Sequence, residues 1–342
     1  MLKSGVIRFI LATLVILYHV SGSVFVGTMA VYCFFILSGY WVTYMYEAKY
    51  LKGRYPIKTF YSSRILRIFP VYILLSILSF WMIYIYSPEK FEAISTLNTT
   101  AKICFFLSNL FILGYNQLTI KPIVPAWSLD IELQFYLLLP ILIFFVQKKN
   151  VRIALLCIST IITIILSVFY PQSVLARSVL IYLSYFLTGI YLYKEKVKFS
   201  FRVELLFNIL LISILIIHFS LYNSHIYSAI KSVPNYEMYF NELLGLLAIP
   251  VLCNSTYNKS DRLDRWLGDI SYVLYLLHWV LLIPYNFYVK DLSKVQRLPI
   301  LMIFLVATYS FSYVIFRFYD KPIDLLRRKW LEENKISKSE LP

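Results

Sequence analysis

Residues 68–87 read IFPVYILLSILSFWMIYIYS, a run as long as a bilayer crossing and without one charged side chain. A helix needs about 20 mostly apolar residues to cross the hydrocarbon core. This stretch meets that requirement alone, and nine others read the same way: 6–26, 27–46, 128–147, 152–170, 177–194, 204–222, 238–254, 268–289 and 298–318. Helices are the natural spanning form, because each backbone group finds its partner inside its own segment. The ten-residue alternation of an outer-membrane barrel is absent. The expected fold class is therefore an all-α membrane protein, a polytopic bundle of about ten transmembrane helices. Composition agrees: 60% of the 342 residues are hydrophobic and only 15% charged, too few charges to cover a soluble core of this size. The same hydrophobicity excludes a disordered chain.

The formal net charge of +15 is then a topological label. With the N-terminus in the cytoplasm, 25 of the 33 Lys and Arg residues fall on the inner side and 8 on the outer. This matches the positive-inside rule and predicts both termini in the cytoplasm. It also removes the reason to invoke nucleic acid, since these charges sit in short loops beside spans. The basic block from Lys49 to Lys58 is placed to touch anionic lipid. Segment 101–115, AKICFFLSNLFILGY, is apolar but short and is interrupted by Ser108 and Asn109. Letting it span would move most downstream basic residues outward, so it is read as a re-entrant or interfacial piece on the outer side. The N-terminal run carries a His and no clear small-x-small site, so cleavage as a signal peptide is not expected. Cys33, Cys104, Cys157 and Cys253 lie in apolar segments with no CxxC spacing, and with only four scattered His residues no metal site is expected. No internal repeat or soluble domain is visible. Residues 1–325 read as one transmembrane domain and 326–342 as a short polar cytoplasmic tail, with short-range structure at most after Pro322.

Ionisable groups inside a span cost on the order of 3 kcal/mol at the helix centre, so they are the informative residues. Arg8 and His19 are eleven positions apart, which is three helical turns plus about 20°, so they share a face roughly 16 Å apart along the axis. Arg8 alone reads as an orientation charge, whereas His19 lies deep in the span. Arg64 and Arg67, three apart, share a face at the start of the third span, with Pro70 near its first turn. Each alone reads equally as a positive-inside charge; together, and near Arg8, two forked guanidiniums make a good phosphate clamp. The fourth span opens at its outer end with Trp127, Ser128, Asp130, Glu132, Gln134 and Tyr136. Trp and Tyr there suit interface anchors. Asp130 and Glu132 are two apart and point to different faces, so one at most faces a pocket around His19. Ser271, Tyr275 and His278 fall at i, i+4 and i+7, one helical stripe that serves either a site or interhelical hydrogen bonds. His218 and His225 read as packing residues near the outer interface.

These residues, in this order, resemble the acyltransferase-3 family of bacterial membrane acyltransferases, which O-acylate surface glycans. The resemblance runs over nearly the whole chain. It comprises R-x10-H (Arg8, His19), FFILSGY with Phe34, Phe35, Ser38 and Gly39, and R-x-x-R (Arg64, Arg67) leading to Pro70 and Tyr72. WSLDIELQFY then carries Trp127, Ser128, Glu132, Phe135 and Tyr136, and GDISYVLYLLHW carries Gly268, Ser271, Tyr272, Tyr275 and His278. Two features depart from it. Asp320-Lys321-Pro322 stands where the family commonly has Glu-x-Pro, and Leu133 stands where a second acidic residue often follows in the WSL motif. Some members also carry a fused C-terminal hydrolase-like domain, which is not expected here.

The resemblance implies a multi-pass protein of the bacterial inner membrane. The donor would be cytoplasmic acyl-coenzyme A, with acetyl as the default acyl group. The acceptor would be a surface glycan or its lipid-linked precursor: O-antigen of lipopolysaccharide, capsule, exopolysaccharide or peptidoglycan, or else a modified macrolide. Arg8, Arg64 and Arg67 would hold the coenzyme A phosphates at the inner face, with the pantetheine arm running toward His19. His19 suits a general base acting on a sugar hydroxyl or a nucleophile passing through an acyl-imidazole, and either role needs the neutral imidazole. Glu132 would orient His19 or the acceptor. Ser38, Trp127, Ser128, Tyr136, Ser271, Tyr275 and His278 would line the pocket, with Ser38, Tyr136 and His278 supplying oxyanion donors. The rival class is a secondary transporter or a flippase of a lipid-linked glycan. That class usually shows two related halves with broken helices in matching positions, and none are legible here.

Overall fold

The computed structural model describes residues 2–21, 26–222, 224–233 and 235–333, and every regular element in it is helical. Eight helices are long and apolar enough to cross a membrane, or nine if a bent pair counts as one span. The chain is a multi-pass membrane protein. In order they are α1 (Ser4–Ser21), α2 (Gly27–Met45, continued by a π turn over Tyr46–Tyr50), α3 (Pro56–Tyr86), α4 (Pro88–Ser95), α5 (Thr99–Phe111), α6 (Trp127–Phe145), α7 (Lys149–Phe169) and α8 (Leu183–Lys194). They continue with α9 (Phe201–Leu221), α10 (His225–Lys231), α11 (Tyr236–Leu247), α12 (Ile249–Ser255), α13 (Arg262–Val289), α14 (Lys294–Ile315, then a π turn over Phe316–Asp320) and α15 (Lys321–Glu333). The bent pair is α11 and α12, which meet at 43° just before Pro250, whose missing N–H interrupts the ladder.

Three elements differ from the sequence reading. The expected span 177–194 is helical only over the 12 residues of α8, preceded by 3-10 turns at Leu175–Arg177 and Val179–Ile181. Side chains take over the backbone bonds there: Gln134 Oε1 accepts from Val179 N at 2.9 Å, and Thr163 Oγ1 donates to the Ile181 carbonyl at 2.9 Å. Irregular backbone at membrane depth survives only with such internal partners. The third span begins well before residue 68, because α3 runs for 31 residues from Pro56. Pro70 is therefore in its interior, and Arg64 and Arg67 stand two to three turns inside the helix. The stretch beyond Pro322 is not a tail with short-range structure, since α15 is continuous to Glu333 and buries Asp324 and Arg327. The rest of the expected tail, 334–342, lies outside the described residues. Finally, α1 ends at Ser21, and residues 22–25 of the first expected span are likewise outside the description.

Helix α5, which overlaps 101–115, has 13 residues, about 20 Å by helical rise and too short to cross. Asn98 caps it by accepting from Ala101 N at 2.8 Å. Ile112 (φ 65°) and Gly114 (φ 78°) then turn the chain in the left-handed region, a strained conformation for a β-branched side chain. Asp130 holds the turn, accepting from Gly114 N at 3.1 Å and Asn116 N at 2.8 Å. Close by, Lys121 donates to the Leu118 carbonyl. Burial, and then the Arg177 charge, lower its pKa against the opposing pull of Asp130.

The helices form two compact units, each built from two stretches of chain: Met1–Tyr40 with Tyr185–Ser271, and Trp41–Ser184 with Tyr272–Pro342. In the first unit α1 packs on α12, and α9 on both α11 and α12. Asp264 Oδ1 accepts from Val6 N at 2.9 Å, satisfying one of the open donors at the α1 start. Helices α2 and α8 touch backbone to backbone. A Cβ on Gly39 would sit 2.1 Å from the Phe186 carbonyl oxygen, and one on Gly189 would sit 2.1 Å from that of Ile36. Small residues are what allow such approach between membrane helices. We expect Gly189→Leu to abolish stable extraction of the protein in mild detergent, while Ser184→Ala nearby leaves it intact. A normal monodisperse yield of Gly189→Leu would refute this contact. The second unit contains α3 to α7, α14 and α15, with α15 lying against α3.

Candidate active site

In the second unit the π turn over Tyr46–Tyr50 delivers two tyrosines to α3. Such turns add a residue to the helix, re-aim the side chains after it, and recur at functional sites. The fully buried Phe60 packs edge-on against Tyr46 at 5.0 Å and Tyr50 at 5.5 Å. Arg64, one turn further along α3, donates from Nη2 to the Tyr50 hydroxyl at 3.2 Å. Its guanidinium lies over the Tyr136 ring at 5.6 Å and the Phe60 ring at 6.0 Å. Its Nε is buried with no hydrogen-bond partner in the structure. The Tyr136 hydroxyl in turn donates to Glu132 Oε1, one turn back on α6. Arg64, Tyr136 and Glu132, expected at opposite ends of their spans, thus meet in one place. Eight residues up α3 from Pro56 and nine down α6 from Trp127 are each about 12–14 Å of rise.

A second π turn serves the other arginine. Pro322 has no N–H for the carbonyl four residues back, and the helix slips into the π turn Phe316–Asp320. Asp320 Oδ2 then accepts from Arg67 Nη1 at 3.3 Å. The Arg67 guanidinium also lies over the Tyr272 ring at 5.7 Å, and the Tyr272 hydroxyl donates to the Ile68 carbonyl at 2.7 Å. A third group stands where α6 begins. Ser128 Oγ and the Tyr275 hydroxyl are 2.8 Å apart, and both reach the Pro125 carbonyl at 3.0 Å. His278, fully buried, lies one turn beyond with Nδ1 3.3 Å from the Leu274 carbonyl. Trp127 packs on Tyr182 at 5.4 Å. Asp130 faces the 114–116 turn instead, as two-residue spacing requires, and also accepts from Gln134 Nε2 at 2.8 Å.

The remaining expected residues belong to the first unit. Helix α1 is unbroken from Ser4 to Ser21, so Arg8 and His19 do share a face, both half-buried. The His19 ring meets Tyr18 edge-on at 4.9 Å. Ser38 is half-buried one position before the Gly39 crossing, and Ser271 donates to the Gly268 carbonyl at 2.8 Å. His218 stacks on Phe240 at 4.4 Å, with Nδ1 3.1 Å from the Tyr236 hydroxyl, a packed aromatic environment as expected. Among the described residues no group of three His, Cys, Asp or Glu side chains is placed to hold a metal ion.

Four residues of the second unit's cluster were not singled out by sequence: Tyr50, Ser63, Asp324 and Arg327. Asp324 and Arg327 were detectable in principle as an i, i+3 ion pair on a helical reading of the tail. Tyr50 and Ser63 carry no such signal.

The second unit buries a guanidinium, a carboxylate and phenols among apolar helices, and such groups mark functional sites in membrane proteins. The family model described as an acyltransferase domain matches residues 4–317, and the chain belongs to the acyltransferase-3 family. It is 30% identical over 135 residues to an uncharacterized protein of Haemophilus influenzae, covering 38% of this chain and 54% of that one. It is 29% identical over 147 residues to O-acetyltransferase OatA of Staphylococcus aureus, covering 40% of this chain and 23% of OatA. A third relative, an uncharacterized protein of Aquifex aeolicus, is 30% identical over 213 residues, 60% of this chain and 89% of that protein. The chain thus matches about half the length of the first and under a quarter of OatA. No solved structure matches it.

Proposed function

We propose that the chain is an O-acyltransferase of the bacterial inner membrane. It would move an acyl group, acetyl by default, from cytoplasmic acyl-coenzyme A to a hydroxyl of a surface polysaccharide or its lipid-linked precursor. The observation that carries this reading is the Glu132–Tyr136–Arg64 cluster, three polar groups engaged with one another inside an apolar bundle. Arg64 retains a buried, unpartnered Nε donor, which suits an anionic group such as a coenzyme A phosphate. Arg67 completes the donor site in this reading, with both termini cytoplasmic in keeping with the 25-to-8 basic bias.

His19 drives the transfer in one of two ways. As base it takes the proton of the sugar hydroxyl, the oxygen attacks the thioester carbonyl, and the ester forms as the coenzyme A thiolate leaves and is protonated. As nucleophile its ring nitrogen attacks the thioester carbonyl, the coenzyme A thiolate leaves and takes the ring proton, and the sugar hydroxyl then displaces the imidazole, returning a proton to the ring. Glu132 orients the acceptor. His278 supplies a donor to the oxyanion.

The test incubates membranes containing the protein with acetyl-labelled acetyl-coenzyme A. Alkali-labile label in the glycan fraction is the expected result. Label that never leaves coenzyme A would overturn the reading. It would favour a transporter or flippase, for which the bent α11–α12 pair is the supporting observation.

A further inference from the structure

The side chains joining α15 to α3 form one continuous relay inside the second unit. Asp324 Oδ1 accepts from Arg327 Nε at 2.9 Å and also from Nη2, a forked pair that fixes the plane of the guanidinium. The third nitrogen, Nη1, donates to Ser63 Oγ at 2.9 Å. Ser63 Oγ is also 2.9 Å from the Tyr50 hydroxyl, which accepts from Arg64 Nη2 at 3.2 Å. Guanidiniums only donate, so the Tyr50 and Ser63 hydroxyls accept from Arg64 and Arg327, and either hydroxyl can donate to the other. The relay ends on Arg64, which faces Tyr136 and, through it, Glu132. Ser63 and Arg327 are buried, so these bonds are not exchanged freely with water.

We infer that Arg327 is a positioning residue for the active site: through Ser63 and Tyr50 it sets the orientation of Arg64, and α15 is thereby part of the donor site. This rests on the donor-binding role proposed for Arg64. Arg327's charge alone would serve as well from a lysine. The geometry does not allow that exchange, because an ammonium on a shorter reach cannot hold Asp324 with a fork and Ser63 with a third nitrogen at once. Tyr50 owes its place to the π turn, and Ser63 is separated by one position from Tyr61, whose own hydroxyl donates to the Leu137 carbonyl at 3.1 Å.

The experiment measures donor KM and kcat for the wild type, Arg327→Gln, Arg327→Lys, Tyr50→Phe, Ser63→Ala and the Arg327→Gln/Tyr50→Phe double variant. We expect each single variant to raise KM for acetyl-coenzyme A roughly tenfold, about 1.4 kcal/mol, with kcat within about twofold. Lysine should not rescue position 327, and the double variant should be no worse than either single one, since both cut the same relay. Unchanged KM, full rescue by lysine, or additive effects would each overturn the inference. A second readout does not depend on the donor. The Arg64 Nε–H resonance, assigned by its loss in Arg64→Lys, should shift in Arg327→Gln and in Ser63→Ala. If the wild type uses no acyl-coenzyme A, the proposed function fails while this resonance still decides the relay. A resonance that stays put in both variants overturns it.

Discussion

His19→Ala is expected to remove glycan acylation while the protein still inserts and accumulates normally. His19 is the lone histidine of α1, placed by helix geometry on the face of Arg8 about 16 Å away, a distance comparable with the reach of the pantetheine arm. A positioned general base contributes about 10²–10⁴-fold, and a nucleophile that carries the acyl group contributes the whole route. The fold should tolerate the change, because the ring is half-buried at the end of α1 and its edge contact with Tyr18 adds only about 1 kcal/mol. The check is ester content of surface glycan by mass and NMR, with protein level measured in parallel. Normal acylation at normal abundance would sink the catalytic assignment. Trapping experiments separate the two roles: an acyl-imidazole isolated after acid quench supports the nucleophile.

The second large effect separates the two arginines of the R-x-x-R pattern. Arg67→Ala is expected to destabilise the protein, and Arg64→Ala to weaken donor binding with little loss of protein. Arg67 pairs with Asp320, which is 4% exposed, so deletion takes a guanidinium away from a buried carboxylate. Removing one partner of a buried pair costs about 3–5 kcal/mol, a large part of a typical stability of about 5–15 kcal/mol. Arg64 bonds a phenol and faces two aromatic rings, and no carboxylate is left exposed by its removal. The measurement is thermal unfolding in detergent beside donor KM. Asp320→Asn in the Arg67→Ala background should recover most of the lost stability, since the buried charge is gone. A stable Arg67→Ala protein with raised KM would refute the structural role and leave Arg67 with donor binding alone.

Much of the fold is legible in the sequence because a bilayer imposes length and apolarity one segment at a time. The site is legible because charge is scarce: Glu132, Arg64 and Arg67 are conspicuous against an apolar background, and the first of them does meet Arg64 through Tyr136. Where the reading failed, helix boundaries failed first. The stretch 56–67 with Arg64 and Arg67 belongs to α3, and the stretch with Asp324 and Arg327 forms α15, because tertiary partners satisfy side chains that hydropathy assigns to water. The segment 177–194 failed in the other direction, its backbone held by Gln134 and Thr163 rather than by its own helix.

The sequence by itself determined the class, the family resemblance, the separate faces of Asp130 and Glu132, and the shared face of Arg8 and His19. These follow from local quantities, namely residue type and a fixed 100° per position. Only the tertiary structure decided which side chains meet across helices. The two π turns, at Tyr46–Tyr50 and Phe316–Asp320, rotate Tyr50 toward Arg64 and Asp320 toward Arg67. A one-residue slip in a helix leaves hydropathy unchanged while turning every later side chain by 100°, and so it is invisible until the helices are packed.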